Sequence, residues 1–152
     1  MTTSSGESAV RAVWELYNTM TTDLAADHAR GVFAGDEVDD GWDDLGDQVS
    51  AAQSQLNALA HEKGSRGEHR HARVVNQALG ELYEALLERS DAQVNYLTTE
   101  ADVKEVIAAG NPGDMVGLDL ARNRLDKANQ RMASDRSSLL YDLENLNADV
   151  KG

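Results

Sequence analysis

Apolar residues recur along this chain at alternating spacings of three and four, which is the pattern of amphipathic helices. The most regular run lies between Trp42 and Leu59, with apolar residues at positions 42, 45, 49, 52, 56 and 59. Similar runs precede and follow it, and the period-two alternation typical of strands is nearly absent. The pattern therefore predicts an all-α fold in which long helices pack along shared apolar seams, as in coiled coils.

Capping residues, glycine and proline divide the chain into four predicted helices. Ser4 stands three residues before Glu7, a spacing that caps the start of a helix. The segment Gly110-Asn111-Pro112-Gly113 ends the third helix, and Asp114 is the candidate cap of the fourth. We therefore predict a single helical domain over residues 1–152, with helices at approximately 7–34, 43–63, 68–110 and 114–150.

The lengths of the connections predict how these helices are arranged. Short connections place neighbouring helices antiparallel, and 152 residues are enough for one substantial core. We predict an antiparallel up-down four-helix bundle, coiled-coil-like, that ends in a long C-terminal α-hairpin. The pair Thr98-Thr99 allows either a second helix start or one continuous, bent third helix, and we favour the continuous helix.

The seam of the last helix is less regular than the others. Asp135 occupies a position where an apolar residue is due, and the phase shifts by one residue after Leu139. Seam residues that the bundle does not bury are available to the helix of a partner. We therefore predict that a protein partner or a second copy binds at Leu139, Leu143, Leu146 and Val150.

The charge of the chain limits its partners. There are 14 basic and 27 acidic residues, and the formal net charge of −13 repels phosphate backbones and anionic lipid surfaces. No apolar run approaches the ~18 residues of a membrane span, and the first residues show no signal-peptide pattern. We expect a soluble protein, cytoplasmic or part of a larger particle, without direct nucleic-acid binding or membrane insertion.

One linker between predicted helices is the most acidic part of the chain, with seven acids from Asp36 to Asp47. Asp36, Asp40, Gly41, Asp44 and Asp47 fall at positions one, five, six, nine and twelve of a twelve-residue segment. In this spacing the segment resembles an EF-hand calcium loop, in which carboxylates bind Ca²⁺ and a glycine allows the sharp turn. The resemblance implies a metal site formed by Asp36, Asp40, Asp44 and Asp47.

The same segment departs from the EF-hand pattern at three positions. Val38 replaces the third ligand, Asp43 replaces an apolar residue, and Asp47 is shorter than the usual bidentate glutamate. The alternative is an acidic linker in which a carboxylate caps the next helix and interacts with its dipole.

Motifs of catalysis are absent from the sequence. It contains no cysteine, no glycine-rich phosphate loop after a strand and no nucleophile elbow. We therefore predict a non-enzymatic structural or adaptor protein that acts through protein–protein contacts in a larger bacterial or phage-type assembly, without a cofactor. The alternatives are a Ca²⁺-responsive helical module that uses the loop 36–47 and an acidic inhibitor that mimics DNA.

Overall fold

The computed structural model describes residues 4–36, 41–62 and 66–151. Within these ranges the chain is helical and contains no strand, which confirms the predicted all-α class. The described helices are α1 (Ser5–Thr19), α2 (Thr22–Ala34), α3 (Trp42–His61), α4 (Arg66–Ala108) and α5 (Met115–Lys151).

The first predicted helix, 7–34, is divided into α1 and α2, which is a correction to the predicted four helices. The backbone leaves the helical region at Met20, where ψ is 85°, and the Met20 side chain is fully buried at this break. Thr21 then begins α2, because its Oγ1 accepts the backbone N–H of Leu24 at 3.1 Å. The break lets α2 leave the direction of α1 and pack against α4.

The other predicted helix ends lie within two residues of the observed ones. Ser4 Oγ accepts the N–H of Glu7 at 3.1 Å, and Asp114 Oδ1 accepts the N–H of Gly117 at 2.9 Å, so both predicted caps are confirmed. α4 runs through Thr98 and Thr99 without interruption. The favoured continuous helix is therefore the one observed.

The main core lies where α1, α3, α4 and α5 pack together, and Ala25 of α2 also contributes to it. α4 and α5 form the most extensive helix pair; α4 also packs against α2 and α3, and α1 packs against α3 and α5. The largest fully buried side chains are Met20, Leu45, Leu56, Leu79, Leu82, Leu86, Met132, Leu139, Leu143, Leu146, Val13 and Val75.

The two long helices, α4 and α5, have 43 and 37 residues. At 1.5 Å per residue their lengths are about 64 Å and about 55 Å. Contacts between His71 and Asp149 near one end of the pair, and between Arg89 and Asn129 further along, show that they run in opposite directions. Among the described residues, no helix is both long enough and apolar enough to cross a membrane.

Candidate functional site

The ends of α4 and α5 that meet near residue 110 extend beyond the main core. The core residues of α4 lie between Ala72 and Leu86, and those of α5 lie between Met132 and Leu146. We call residues 96–122 the outer hairpin. Its buried apolar residues lie outside the main core and form a narrow seam of their own, consisting of Val103, Leu118 and Ala121. A seam of this width leaves most of the surface of both helices exposed.

Five large apolar side chains are exposed at the end of the outer hairpin, and we call them the hairpin tip. Ten large apolar side chains are exposed in the described part of the chain, and half of them lie within the 15 positions from 106 to 120. The tip consists of Val106 (39% exposed), Ile107 (53%), Met115 (53%), Val116 (72%) and Leu120 (65%). Scattered apolar residues are normal on a protein surface, whereas a concentration of them indicates a contact site.

The turn that carries the tip has a defined backbone structure. Gly110 adopts the left-handed conformation with φ of 86°, which glycine reaches without steric cost. Its N–H donates to the carbonyl of Ile107 at 2.9 Å, and the N–H of Asn111 donates to the carbonyl of Val106 at 3.1 Å. These two bonds form a Schellman motif, which satisfies carbonyls at the end of α4.

Gly113 brings the turn close to α4. A Cβ atom at this position would lie 2.9 Å from Val103 Cγ1, which is closer than Cβ contacts in proteins, and 3.1 Å from Ile107 Cδ1, which is a tight contact. The absence of a side chain at Gly113 therefore allows the chain to pass directly over α4 before Asp114 caps α5. The sequence 110–114 thus fixes the positions of the tip residues on both helices.

A polar network joins α4 and α5 beside the tip. The Tyr96 hydroxyl donates to Glu100 Oε2 at 3.0 Å and accepts from Arg122 Nη2 at 3.4 Å, and Arg122 also lies 5.9 Å from the centre of the Tyr96 ring. Lys104 Nζ lies 3.3 Å from Glu100 Oε1. The hydrogen bonds from Tyr96 and from Lys104 lower the pKa of Glu100. This network holds the two helices together on one side of the outer hairpin.

A buried arginine lies where the outer hairpin meets the main core. Arg89 is 6% exposed; its Nε donates to Asn129 Oδ1 of α5 and its Nη1 donates to Gln93 Oε1 at 3.0 Å. Burial lowers the pKa of Arg89, the charge of Arg30 on α2 acts in the same direction, and Asp23 opposes both. Removal of a hydrogen-bond partner from a buried charge is strongly destabilising, so these contacts favour the observed alignment of α4 and α5.

The structure places the predicted partner-binding residues mainly in the core. Leu139, Leu143 and Leu146 are 0%, 1% and 0% exposed and belong to the main core, and Val150 is half-buried against Gly6. The phase shift in the sequence does not free these side chains, because α1 lies against this end of α5 and covers it. In this packing Leu139 and Leu146 present no surface to a partner, and Leu143, which is 1% exposed, only borders a groove between α1 and α5.

The predicted metal ligands are only partly described. Asp40 lies outside the described residues, Asp36 is exposed directly after α2, and Asp44 and Asp47 are exposed within α3. Gly41 is the N-cap of α3 with φ of 83°, so the helix begins at the seventh position of the twelve-residue segment. Among residues 4–36, 41–62 and 66–151, no group of three or more histidine or acidic side chains is arranged to hold a metal ion.

A second apolar surface lies at the other end of α5. It is a groove of about 440 Å³ between α1 and α5, to which Val10, Trp14 and Leu143 contribute apolar side chains. Charged side chains of both signs also line this groove, and they are Glu7, Arg11, Glu144 and Lys151. The groove therefore has no single charge character by which to select a partner.

Comparisons with known proteins add no relative. No protein-family model, no curated protein and no solved structure matches the chain.

Proposed function

We propose that this chain is a non-enzymatic structural or adaptor protein that binds a protein partner through the hairpin tip, within a larger assembly. The observation that supports this proposal is the concentration of exposed apolar side chains at the end of the outer hairpin, with Val116 72% and Leu120 65% exposed. Apolar surface of this kind gains free energy when a partner removes it from water.

The gain is shared by five side chains that are 39–72% exposed. Complete burial of a fully exposed valine, leucine, isoleucine or methionine side chain contributes about 1.5–3 kcal/mol, and each tip residue gains the part of this that corresponds to its exposed fraction. Tip residues are presented by two antiparallel helices, so a partner with an apolar groove is able to accept one or both helices. The tip residues supply the apolar contacts, and the helices supply a rigid support for them.

The defined structure of the turn favours binding. The Schellman motif at Gly110, the close packing at Gly113 and the Asp114 cap hold the tip in one conformation before any partner arrives. A surface that is ordered in advance loses less conformational entropy when it binds. A turn without these elements would lose more conformational entropy when a partner binds.

We include in this proposal an up-down order of the four helices that build the bundle. Gly6 lies beside Val150 and Tyr17 lies beside Arg136, so α1 runs opposite to α5. Gly46 of α3 lies beside Tyr83 of α4, and Gln53, later in α3, lies beside Gly80, earlier in α4, so these two helices also run in opposite directions. These pairs support alternating directions for α1, α3, α4 and α5.

Site-specific cross-linking in the native host tests the proposal. A photoreactive residue is introduced at Val116 in the tip and, in a matched control, at Tyr141, which is 67% exposed on the same helix. We expect one protein, or a small set, to cross-link at position 116 and not at position 141. Identical adducts at the two positions, or none at position 116, would contradict the proposal.

A second pair of variants separates specific binding from accidental proximity. Val116→Ser together with Leu120→Ser removes apolar surface at the tip without a change of charge, and Tyr141→Ser removes it elsewhere on α5. With the cross-linker placed at Asn111, we expect the first variant to lose the adduct and the second to keep it. Retention of the adduct in the serine variant of the tip would show that the apolar tip is not the binding determinant.

A further inference from the structure

We infer that the hairpin tip recognises a basic protein surface, in which an apolar site is bordered by lysine or arginine, and that its partner is not a second copy of this chain. This inference rests on the proposed function, because it specifies the partner of the same surface. The observations that support it are the charges around the tip and the contacts that these charges make.

The outer hairpin carries more acidic than basic residues. Between residues 100 and 122 there are five acids and two bases. Both bases are engaged within the hairpin, since Lys104 lies 3.3 Å from Glu100 and Arg122 donates to the Tyr96 hydroxyl at 3.4 Å. Both basic side chains near the tip therefore already bind groups within the hairpin.

Three carboxylates around the tip have no such partner. Asp102, Glu105 and Asp119 are exposed, and none lies within ion-pair distance of a base in the described ranges; only Asp119 interacts with a base at longer range, namely Arg122. Asp102 and Glu105 lie on the last turns of α4, and Asp119 lies on the first turns of α5 beside Leu120. Carboxylates thus border the apolar tip on both helices.

A second copy of the chain does not fit this surface. If two tips met, the unpaired carboxylates of both copies would be brought together while water was removed from around them. Like charges at an interface oppose association, and a carboxylate that loses water needs an opposite charge or hydrogen-bond donors. The net charge of −13 adds a longer-range repulsion between copies.

A basic partner avoids the repulsion between like charges and supplies opposite charges to the carboxylates that lose water. Its apolar site covers Val116, Leu120 and their neighbours, and its lysine or arginine side chains pair with the carboxylates at the border. Such pairs at the rim of an interface mainly raise the rate of association and select against wrong partners. Apolar contact then provides the affinity, and the carboxylates provide the selectivity.

The test uses two synthetic amphipathic helical peptides as probes, both with leucine on one face. One peptide has lysine and the other has glutamate on the opposite face. Binding to the full chain is followed by backbone amide chemical shifts in the isotope-labelled protein. We expect the lysine peptide to shift amides of residues 102–120 saturably, and we expect the glutamate peptide to cause no shifts there.

Charge variants identify the contribution of the border. Asp102→Asn, Glu105→Gln and Asp119→Asn together are expected to weaken binding of the lysine peptide about tenfold at low ionic strength. The matched control changes three exposed acids elsewhere by the same charge, Glu15→Gln, Asp47→Asn and Asp91→Asn. We expect this control to keep the affinity within about twofold, since screening limits the effect of distant charges.

The outcomes separate this inference from the proposed function. The inference is overturned if the lysine peptide does not bind, if it binds away from the tip, if the glutamate peptide binds equally well, or if the two charge variants behave alike. The proposed function still stands in those cases when cross-linking at position 116 depends on Val116 and Leu120. Conversely, loss of that dependence removes the proposed function, whatever the peptides show.

Discussion

Arg89 of α4 donates a hydrogen bond from Nε to Asn129 Oδ1 of α5 and is only 6% exposed. The pair lies just beyond Leu86, the last residue that α4 contributes to the main core. The hydrogen bond therefore joins the two long helices where the support of the bundle ends.

We expect Asn129→Ala to lower the free energy of unfolding by about 2 kcal/mol, because it leaves a buried guanidinium with one fewer acceptor. Urea unfolding followed by circular dichroism measures the change. Gln130→Ala, at the exposed neighbouring position, is the matched control and is expected to change the free energy by less than about 0.5 kcal/mol. Equal effects of the two substitutions would show that the Arg89 contact contributes nothing specific.

Leu143 and Leu120 lie on the same helix, but truncation to alanine is expected to lower the free energy of unfolding at Leu143 and to leave it nearly unchanged at Leu120. Leu143 is 1% exposed in the main core, so Leu143→Ala should destabilise the fold by about 3 kcal/mol through lost burial and a cavity. Leu120 is 65% exposed, so Leu120→Ala should leave stability nearly unchanged. Thermal and urea unfolding measure the change. If Leu143→Ala hardly lowered the free energy of unfolding, Leu143 would not belong to the core and would be available for contact with a partner.

Gly110 is expected to determine the stability of the outer hairpin. Its φ of 86° lies in the left-handed region, where alanine costs about 1 kcal/mol more than glycine. Gly110→Ala should therefore speed hydrogen exchange of amides in residues 103–118 while exchange in the main core stays the same. Gly110→Asn is the control, because asparagine tolerates this conformation better, and it should have a smaller effect. Equal protection in all three proteins would contradict the role of the glycine.

Asp142 is expected to reduce stability at neutral pH. Burial raises the pKa of Asp142, His71 opposes this effect, and Glu81 adds to it. A native pKa above the unfolded value means that the folded state binds the proton more tightly, so stability is lost as pH rises through the unfolded pKa up to the native one. Asp142→Asn should therefore unfold at higher urea concentration than the wild type at pH 7.

The advantage of Asp142→Asn should disappear below about pH 3.5, where the carboxyl is protonated in both states. Urea midpoints over a pH series measure this difference. Glu144→Gln, at an exposed acid nearby on α5, is the matched control for the removal of one negative charge. An advantage that stays constant with pH would assign the effect to side-chain shape rather than to charge.

The calcium hypothesis for the segment 36–47 leads to a fluorescence test. Trp42 stacks on His28 with ring centres 3.9 Å apart, so its emission should respond to any rearrangement of this segment. We expect no saturable change on addition of millimolar Ca²⁺, because α3 begins at Trp42 and holds Asp44 and Asp47 as exposed helical side chains. Trp14→Phe isolates the Trp42 signal, and Mg²⁺ serves as the control ion.

A saturable change that Asp36→Asn and Asp47→Asn abolish would contradict this expectation and establish the Ca²⁺-responsive module. Such a result would leave the argument for the hairpin tip untouched, since the two regions share no residues.

The sequence predicts much of this fold because local pattern and burial agree in its central helices. In α3, five of the six residues with alternating spacings of three and four are buried, and they are Leu45, Val49, Ala52, Leu56 and Leu59. The turn at residues 110–114 is also evident from glycine, proline and a capping aspartate, whose conformational preferences are local. Neither prediction requires knowledge of which helices are neighbours.

The features that could not be predicted depend on which helices pack against each other in the folded chain. The break before Thr21 carries neither glycine nor proline, and α2 turns there because its alanine-rich face fits α4. The irregular seam predicts that Leu139, Leu143 and Leu146 are available to a partner, yet they are buried in a core to which α1 contributes. The tip had one local signal, since Met115, Val116, Leu118 and Leu120 are too closely spaced to share one helix face.

Because α4 continues without interruption past Arg89, a small rotation of the helix near Arg89 would move the distant tip of the outer hairpin. From Arg89 to Ala108 the helix extends about 28 Å at 1.5 Å per residue. A rotation of about 5° near Arg89 would therefore displace the apolar tip by about 2.5 Å, roughly half a helical turn. Small adjustments of packing where α4 meets α2 and α5 would thus be amplified at the far end, and a load applied to the tip would be carried back through two unbroken helices into the bundle.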